Sequence, residues 1–146
     1  MVRMLQVPTI YFEASWPTPG ALVDIMAIDR AGVGDVHVID VKRTFDAAVK
    51  ASPRLLRIPA QYRWMAFYDA EYPQSGEKLQ RKAERAPLFP SDEMGRIGLI
   101  VVYESEDQFG IQFDAEVLIR GERFPGSNYD EASQFVASHK PDIMFR

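Results

Sequence analysis

Asp40 and Lys42 are the residues in this chain best placed to do chemistry. They sit in the stretch Gly34 to Thr44, Gly-Asp-Val-His-Val-Ile-Asp-Val-Lys-Arg-Thr, which is apolar until the two charges arrive. An apolar run of this length predicts a buried strand. Strand side chains alternate between faces, so Val36, Val38, Asp40 and Lys42 share one side and His37, Ile39 and Val41 the other. An acid and an amine then leave the same face of a mostly buried strand, where neither charge is readily buried alone. On their own the two charges can simply neutralise each other at a strand end. A catalytic reading needs a second acid close by. Asp24 supplies it, sixteen residues earlier in the apolar run Leu-Val-Asp-Ile-Met-Ala-Ile.

The elements that must position these residues follow from the pattern around them. Ala21 to Asp29 reads as a strand with Leu22, Asp24, Met26 and Ile28 on one face. The polar, glycine-containing stretch Asp29-Arg30-Ala31-Gly32-Val33-Gly34 makes a hairpin into the Asp40 strand. Adjacent strands lie about 4.8 Å apart, so carboxylates at paired positions can share a cation. Hard oxygen ligands suit Mg²⁺ or Mn²⁺, and the backbone carbonyl of Val41 is a further candidate ligand. A cation so held can activate water and stabilise charge on a phosphodiester under attack, with Lys42 stabilising developing charge or orienting the water.

Asp24 followed by Asp40-Val41-Lys42, on consecutive strands with a basic helix after them, resembles the PD-(D/E)xK phosphodiesterase superfamily. Val23-Asp24-Ile25-Met26-Ala27 and Val38-Ile39-Asp40-Val41-Lys42 are the motifs that carry the likeness, within Gly20 to Ala70. Together with the later run Gly98-Leu99-Ile100-Val101-Val102, the chain is also similar to small DNA-repair proteins of the MmcB-like type. The resemblance implies a restriction-endonuclease-like core. It implies metal ligation by Asp24 and Asp40 and a catalytic role for Lys42. Glu13 is the candidate for the acid that many members carry ahead of the first motif, here on a strand rather than a helix. Gln61, nineteen residues beyond Lys42, fits loosely the glutamine of RecB-like members.

The remaining elements are read in order. Residues 4 to 16 alternate, with Ile10, Phe12, Ala14 and Trp16 on one face of a strand. Thr44 caps a short helix from Phe45 to about Ala51, which Pro53 ends. Pro59 suits the first turn of a second helix over 60–70, whose Gln61, Trp64 and Tyr68 fall on one stripe. Residues 71–95 read as a loop with room for one short helical turn. Ile97 to Glu104 is a buried strand. Gly110 to Ile119 alternates, placing Ile111, Phe113, Ala115, Val117 and Ile119 inward. Asn128 to Glu131 has capping-box spacing ahead of a helical face formed by Ala132, Phe135 and Val136. The fold class expected is a single α/β domain over residues 1–146, with a mixed central sheet flanked by helices.

Composition narrows the function classes. The chain has 146 residues and no cysteine, so disulfide frameworks and thiolate metal sites are excluded. With only two histidines, His37 and His139, a zinc site or a nucleophile–histidine triad is poorly supported. No apolar run approaches the ~18 residues of a membrane span, and the N-terminus lacks a secretory pattern, which makes the cytoplasm the default expectation. The net charge of −4 conceals an asymmetry: residues 42–85 carry ten bases and five acids, the remainder seven and sixteen. A basic middle fits a polyanion, and it fits solvated faces equally well. On the first reading Arg43, Lys50, Arg54, Arg57, Gln61 and Arg63 contact DNA. Two functions are therefore expected as alternatives: a metal-dependent nuclease, or a nuclease-fold module without turnover that binds nucleic acid or builds a larger assembly. Exposed strand edges add the expectation of a homodimer.

Overall fold

The structure is a computed structural model that describes residues 9–15, 22–28, 35–58, 60–86, 95–124 and 143–144, with side chains outside the description at 9–15, 22, 23, 28, 57, 143 and 144. Its centre is a seven-stranded mixed sheet in the order β6-β5-β4-β3-β2-β1-β7. The strands are β1 Thr9–Ser15, β2 Leu22–Ile28, β3 Val36–Lys42, β4 Tyr62–Tyr68, β5 Gly98–Asp107, β6 Gly110–Ile119 and β7 Ile143–Met144. β1, β2 and β3 form an antiparallel meander. β3, β4 and β5 run parallel, and β6 returns antiparallel against β5. This is the expected α/β class with a mixed sheet.

The parallel trio explains the long apolar runs. A strand covered on both faces has no wet side, so its apolar residues do not alternate with polar ones. One face of the sheet packs Met26, Val36, Val38, Met65, Phe67, Leu99 and Val101 beneath the helices. The opposite face carries a smaller cluster of Ile39, Trp64, Ala66 and Ile100. Trp64 is fully buried, and Gly98 on β5 makes room for it: a Cβ there would lie 2.2 Å from the indole ring.

Two connections cross the helix-covered face. Helix α1, Phe45–Ala51, follows β3 directly, and the Thr44 hydroxyl accepts from the Ala47 amide at 3.1 Å, the expected cap. The chain leaves the α-helix at Ala51, as expected ahead of Pro53. It enters a 3-10 segment, Ser52–Arg57, where a proline in the first turn lacks only an amide that would have had no partner. Helix α2, Gly76–Arg85, then links β4 to β5 and buries Leu79 and Ala83, one turn apart, among charged residues.

Three expectations are corrected here. The helix expected over 60–70 is strand β4. Its residues Tyr-Arg-Trp-Met-Ala-Phe-Tyr are rich in aromatics and fill both sides of a central strand, so the apparent helical stripe of Gln61, Trp64 and Tyr68 was a by-product of near-continuous hydrophobicity. The loop expected over 71–95 contains the ten-residue helix α2, whose two buried positions are too few to stand out in the sequence. The inward face expected on β6 is largely outward: Ile111 is 70 % exposed and Phe113 67 %, and only Ile119 is buried. β6 is an edge strand that runs with β5 beyond the part of the sheet covered on that face, so alternation there reports a face without a covering layer among the described residues. The helix expected after Asn128 lies outside the described residues. No helix among the described residues is long and apolar enough to cross a membrane.

His37 is part of the packing on the second face. Its ring stacks on Tyr62 at 4.5 Å, and its Nδ1 accepts from the Trp64 indole N–H at 3.1 Å. Burial holds its pKa down to about 4, although Asp35 pulls the other way. In the unfolded chain it titrates near 6.5. As pH falls from 6.5 towards 4, the unfolded chain takes up a proton that the folded one refuses. Stability is therefore unaffected by this group above 6.5, and is lost below it by up to ~3 kcal/mol at 1.36 kcal/mol per unit of difference. His37→Gln keeps an acceptor for Trp64 and cannot titrate. Urea unfolding at pH 7 and pH 4.5 is expected to show a smaller acid loss in this variant than in the wild type; an equal loss would mean that His37 is not held neutral.

Candidate functional site

The register of the β2–β3 hairpin assembles the candidate site. Ile25 lies against Ile39 and Met26 against Val38, which brings Asp24 level with Asp40. Both acids, with Lys42, lie on the helix-covered face. They sit where β3 delivers its carboxyl end to α1, the end of parallel strands at which α/β sheets hold ligands. Asp24 Oδ2 accepts from the Val41 amide at 2.7 Å. That amide binds Asp24 just beyond the β2–β3 backbone pairs, so the strand end itself fixes the carboxylate.

Asp40 is buried, 4 % exposed, while Asp24 is half-buried. Lys42 Nζ stands 3.4 Å from Asp40 Oδ2, and Arg54, from the 3-10 segment, brings its guanidinium to 4.0 Å from the same oxygen. Asp40 Oδ2 is buried and makes no hydrogen bond within the structure. The two carboxyls pull each other's protonation apart. Burial raises Asp40, and its hydrogen bond with Asp24 and the charge of Asp24 raise it further, against the attraction of Lys42. Burial also pushes Asp24 up, but the Asp40 carboxyl, the Val41 amide and the charges of Lys42 and Arg54 together hold it below the usual carboxylate range. The two carboxyls therefore lean in opposite directions, Asp24 towards ionisation and Asp40 towards the neutral form, with two cations alongside. Two acids whose environments drive their titrations apart are a mark of functional sites.

The other residues expected at the site divide into two groups. Val41 is at the centre of it. Arg43, Lys50 and Arg54 are exposed, on and after the end of β3. Glu13 lies on β1, where Phe12 against Ile25 and Ala14 against Val23 bring its backbone level with Asp24; its side chain is outside the description, as is that of Arg57. Gln61 and Arg63 are elsewhere. Gln61 is buried just before β4, and its carboxamide oxygen accepts from the Val36 amide at 2.7 Å, tying the entries of the two parallel strands. Arg63 is also buried. It donates twice to the Ile58 carbonyl, at 3.1 and 2.8 Å, and lies 4.0 Å over the Phe124 ring. Neither is available to a nucleic acid, because both serve the end of the sheet opposite Asp40. Arg54 was expected only as a phosphate contact; its approach to Asp40 depends on the 3-10 turn, which no sequence signal beyond Pro53 announces.

The donor set fits a hard divalent cation. Two carboxylates are present, and one of them holds a buried oxygen with no hydrogen bond. Among the described side chains no third acid or histidine joins them. Mg²⁺ characteristically takes one or two protein carboxylates and completes its shell from water and substrate phosphate.

No protein-family model matches the chain, and no curated protein matches it at a significant level. Among solved structures, the chain is similar to a protein of unknown function from Silicibacter pomeroyi, with a TM-score of 0.50 and 21% identity, over 89% of this chain and 70% of that one. At this identity the likeness concerns the fold alone.

The raised titration of Asp40 has a consequence for stability. The folded state binds this proton more tightly than the unfolded one. The stabilisation is therefore complete below the unfolded value of 3.8 and is lost as pH rises through the folded value. Asp40→Asn keeps a neutral donor towards Asp24 at all pH values. At pH 7 its Tm is expected to rise by about 2–4 °C, on the order of 1 kcal/mol, as when a strained functional group is neutralised. If Asp40 and Lys42 were simply a stabilising ion pair, thermal unfolding would show Tm falling instead.

Proposed function

We propose that the chain is a metal-dependent phosphodiester hydrolase of the PD-(D/E)xK type acting on DNA. The observation that carries the reading is the Asp24–Asp40 pair, level across β2 and β3, with Lys42 3.4 Å from Asp40. A divalent cation bound there supplies Lewis-acid charge to the phosphodiester. Asp24, Asp40 and the Val41 carbonyl are the groups that would hold it. Lys42, beside Asp40 at the strand end, is the group that would face the negative charge developing on the phosphate oxygens during attack. Arg54, half-exposed on the other side of Asp40, is placed to neutralise a phosphate without reading a base. Arg43 and Lys50 extend the positive surface beyond the strand end.

A second reading has its own support. β6 leaves Ile111 and Phe113 exposed, and the β5–β6 turn presents Phe109, 87 % exposed. Surface of this kind suits a component that meets a partner, including a second copy of the chain, so a nuclease-fold module without turnover remains the alternative.

The two readings differ in one assay. Single-stranded and duplex DNA are incubated with Mg²⁺ or Mn²⁺ and with either the wild type or Lys42→Ala from parallel preparations. The hydrolase reading expects cleavage by the wild type, reduced at least 100-fold in Lys42→Ala, the scale of losing one electrostatic stabiliser. Equal cleavage by both would place the activity elsewhere, and cleavage by neither would leave the binding module.

A further inference from the structure

Apart from the acid pair, a strongly charged depression lies between the two helices. It is a cleft of about 410 Å³ walled by Phe45, Asp46 and Lys50 of α1 and by Lys82 and Arg85 of α2. Three cations from two separate helices converge on it against a single acid. Among the described residues none of the three cations is ion-paired with a carboxylate. Lys82 Nζ lies 5.1 Å over the Phe45 ring instead.

Helix dipoles account for part of this. Lys50 is in the last turn of α1, and Lys82 and Arg85 are in the last turn of α2, where cations are favoured. The dipole does not explain why they meet. A cation at a helix end gains the same interaction pointing to open water, and like charges brought together repel unless an anion joins them. The walls are as informative as the charges, since Phe45, Val49 and Ala86 are apolar. A site that offers cations and an aromatic ring together suits a ligand with both phosphate and a planar base.

The cleft also adjoins the strand that carries the acid pair. Phe45 comes three residues after Lys42 and packs edge-on against Phe67 at 5.4 Å, and Phe67 is the register partner of Lys42 on β4. We infer that the α1–α2 cleft receives a nucleotide flanking the scissile phosphate, and that the strand is unpaired there. The apolar wall and Phe45 take the base and sugar, while Lys50, Lys82 and Arg85 take the adjoining phosphates. A nucleotide fits a cleft of this size, and a duplex is too broad to enter between neighbouring helices. Stacking on an aromatic with phosphates on cations is the general mode for single strands. This inference rests on the nuclease reading and names its substrate form.

The test is anisotropy of a labelled oligothymidylate and of a hairpin duplex of equal charge, in EDTA so that nothing is cleaved. Lys82→Glu, Arg85→Glu and, as a control for net charge, Arg120→Glu at an exposed position just after β6 are compared with the wild type. Circular dichroism confirms folding, and Lys82→Gln replaces Lys82→Glu if the latter unfolds. Lys82→Glu and Arg85→Glu are expected to weaken oligothymidylate binding at least tenfold and Arg120→Glu less than threefold. Each cleft variant should also lower the salt slope of binding by about 0.7, the value for one lost single-strand contact. The inference is overturned if Arg120→Glu weakens binding as much as the cleft variants, if the duplex binds more tightly than the single strand, or if the wild type binds neither. Cleavage measured separately keeps the two ideas apart. Loss of cleft binding in the variants of a protein that never cleaves would sink the hydrolase alone. Cleavage with binding indifferent to Lys82 and Arg85 would sink the cleft alone.

Discussion

Two carboxyl groups are held level on neighbouring strands, and one of them is buried. That constraint organises the chemistry of this protein. Burying Asp40 among β2, β3 and the helices carries a desolvation cost that neither Lys42 at 3.4 Å nor Arg54 at 4.0 Å removes by a direct hydrogen bond to Oδ2. That burial pushes Asp40 towards its neutral form, while Asp24 beside it is fixed by the Val41 amide. A buried ion pair kept only for stability would be improved by apolar packing. Here the polar arrangement stands where three parallel strands deliver their carboxyl ends, which is where such sheets place ligands.

The rest of the fold divides into parts that hold this end in place and parts that look outward. Gln61 and Arg63 lock the opposite end of β3 and β4, bonding the Val36 amide and the Ile58 carbonyl, so the register that aligns Asp24 with Asp40 is anchored from the far side. Trp64 and His37 fill the second face. Near the β5–β6 edge, Glu116 accepts from the hydroxyls of Tyr72 and Tyr103, tying the segment before α2 to the hairpin. Burial on this scale makes the strand ends rigid, and a rigid frame is what precise placement of two acids requires. The helices contribute the positive surroundings: Arg54 to the acid pair, Lys50, Lys82 and Arg85 to the cleft beside it.

Much of the site was legible from residue types and spacing. Asp24, Asp40 and Lys42 share a face because strands have a period of two, and the polar stretch between the runs forced a hairpin that brings the acids together. The Thr44 cap was equally plain. What was hidden has physical causes. β4 carries apolar side chains on both faces, so it has no period to read, and Pro59 favoured a helix that tertiary packing overrode. α2 shows only Leu79 and Ala83 to the core, too faint a stripe against its charges. β6 alternates as an inward strand does, yet its apolar side has no cover among the described residues, and no local pattern encodes the layer above a sheet. The burial of Gln61 and Arg63 was hidden for the same reason: polarity suggested a surface role, and only the strand ends they bridge explain why they lie inside.

The most direct measurement is calorimetric titration of Mn²⁺ into the wild type and Asp40→Asn at pH 5.0 and 7.5, each in two buffers of different ionisation enthalpy to count released protons. A cation held by the two acids predicts proton release on binding at pH 5.0, because Asp40 keeps its proton to higher pH than an ordinary carboxyl, tighter binding at pH 7.5, and at least a tenfold loss of affinity in Asp40→Asn. Mn²⁺ binding that releases no proton and is indifferent to Asp40→Asn, or no binding at either pH, would contradict the account.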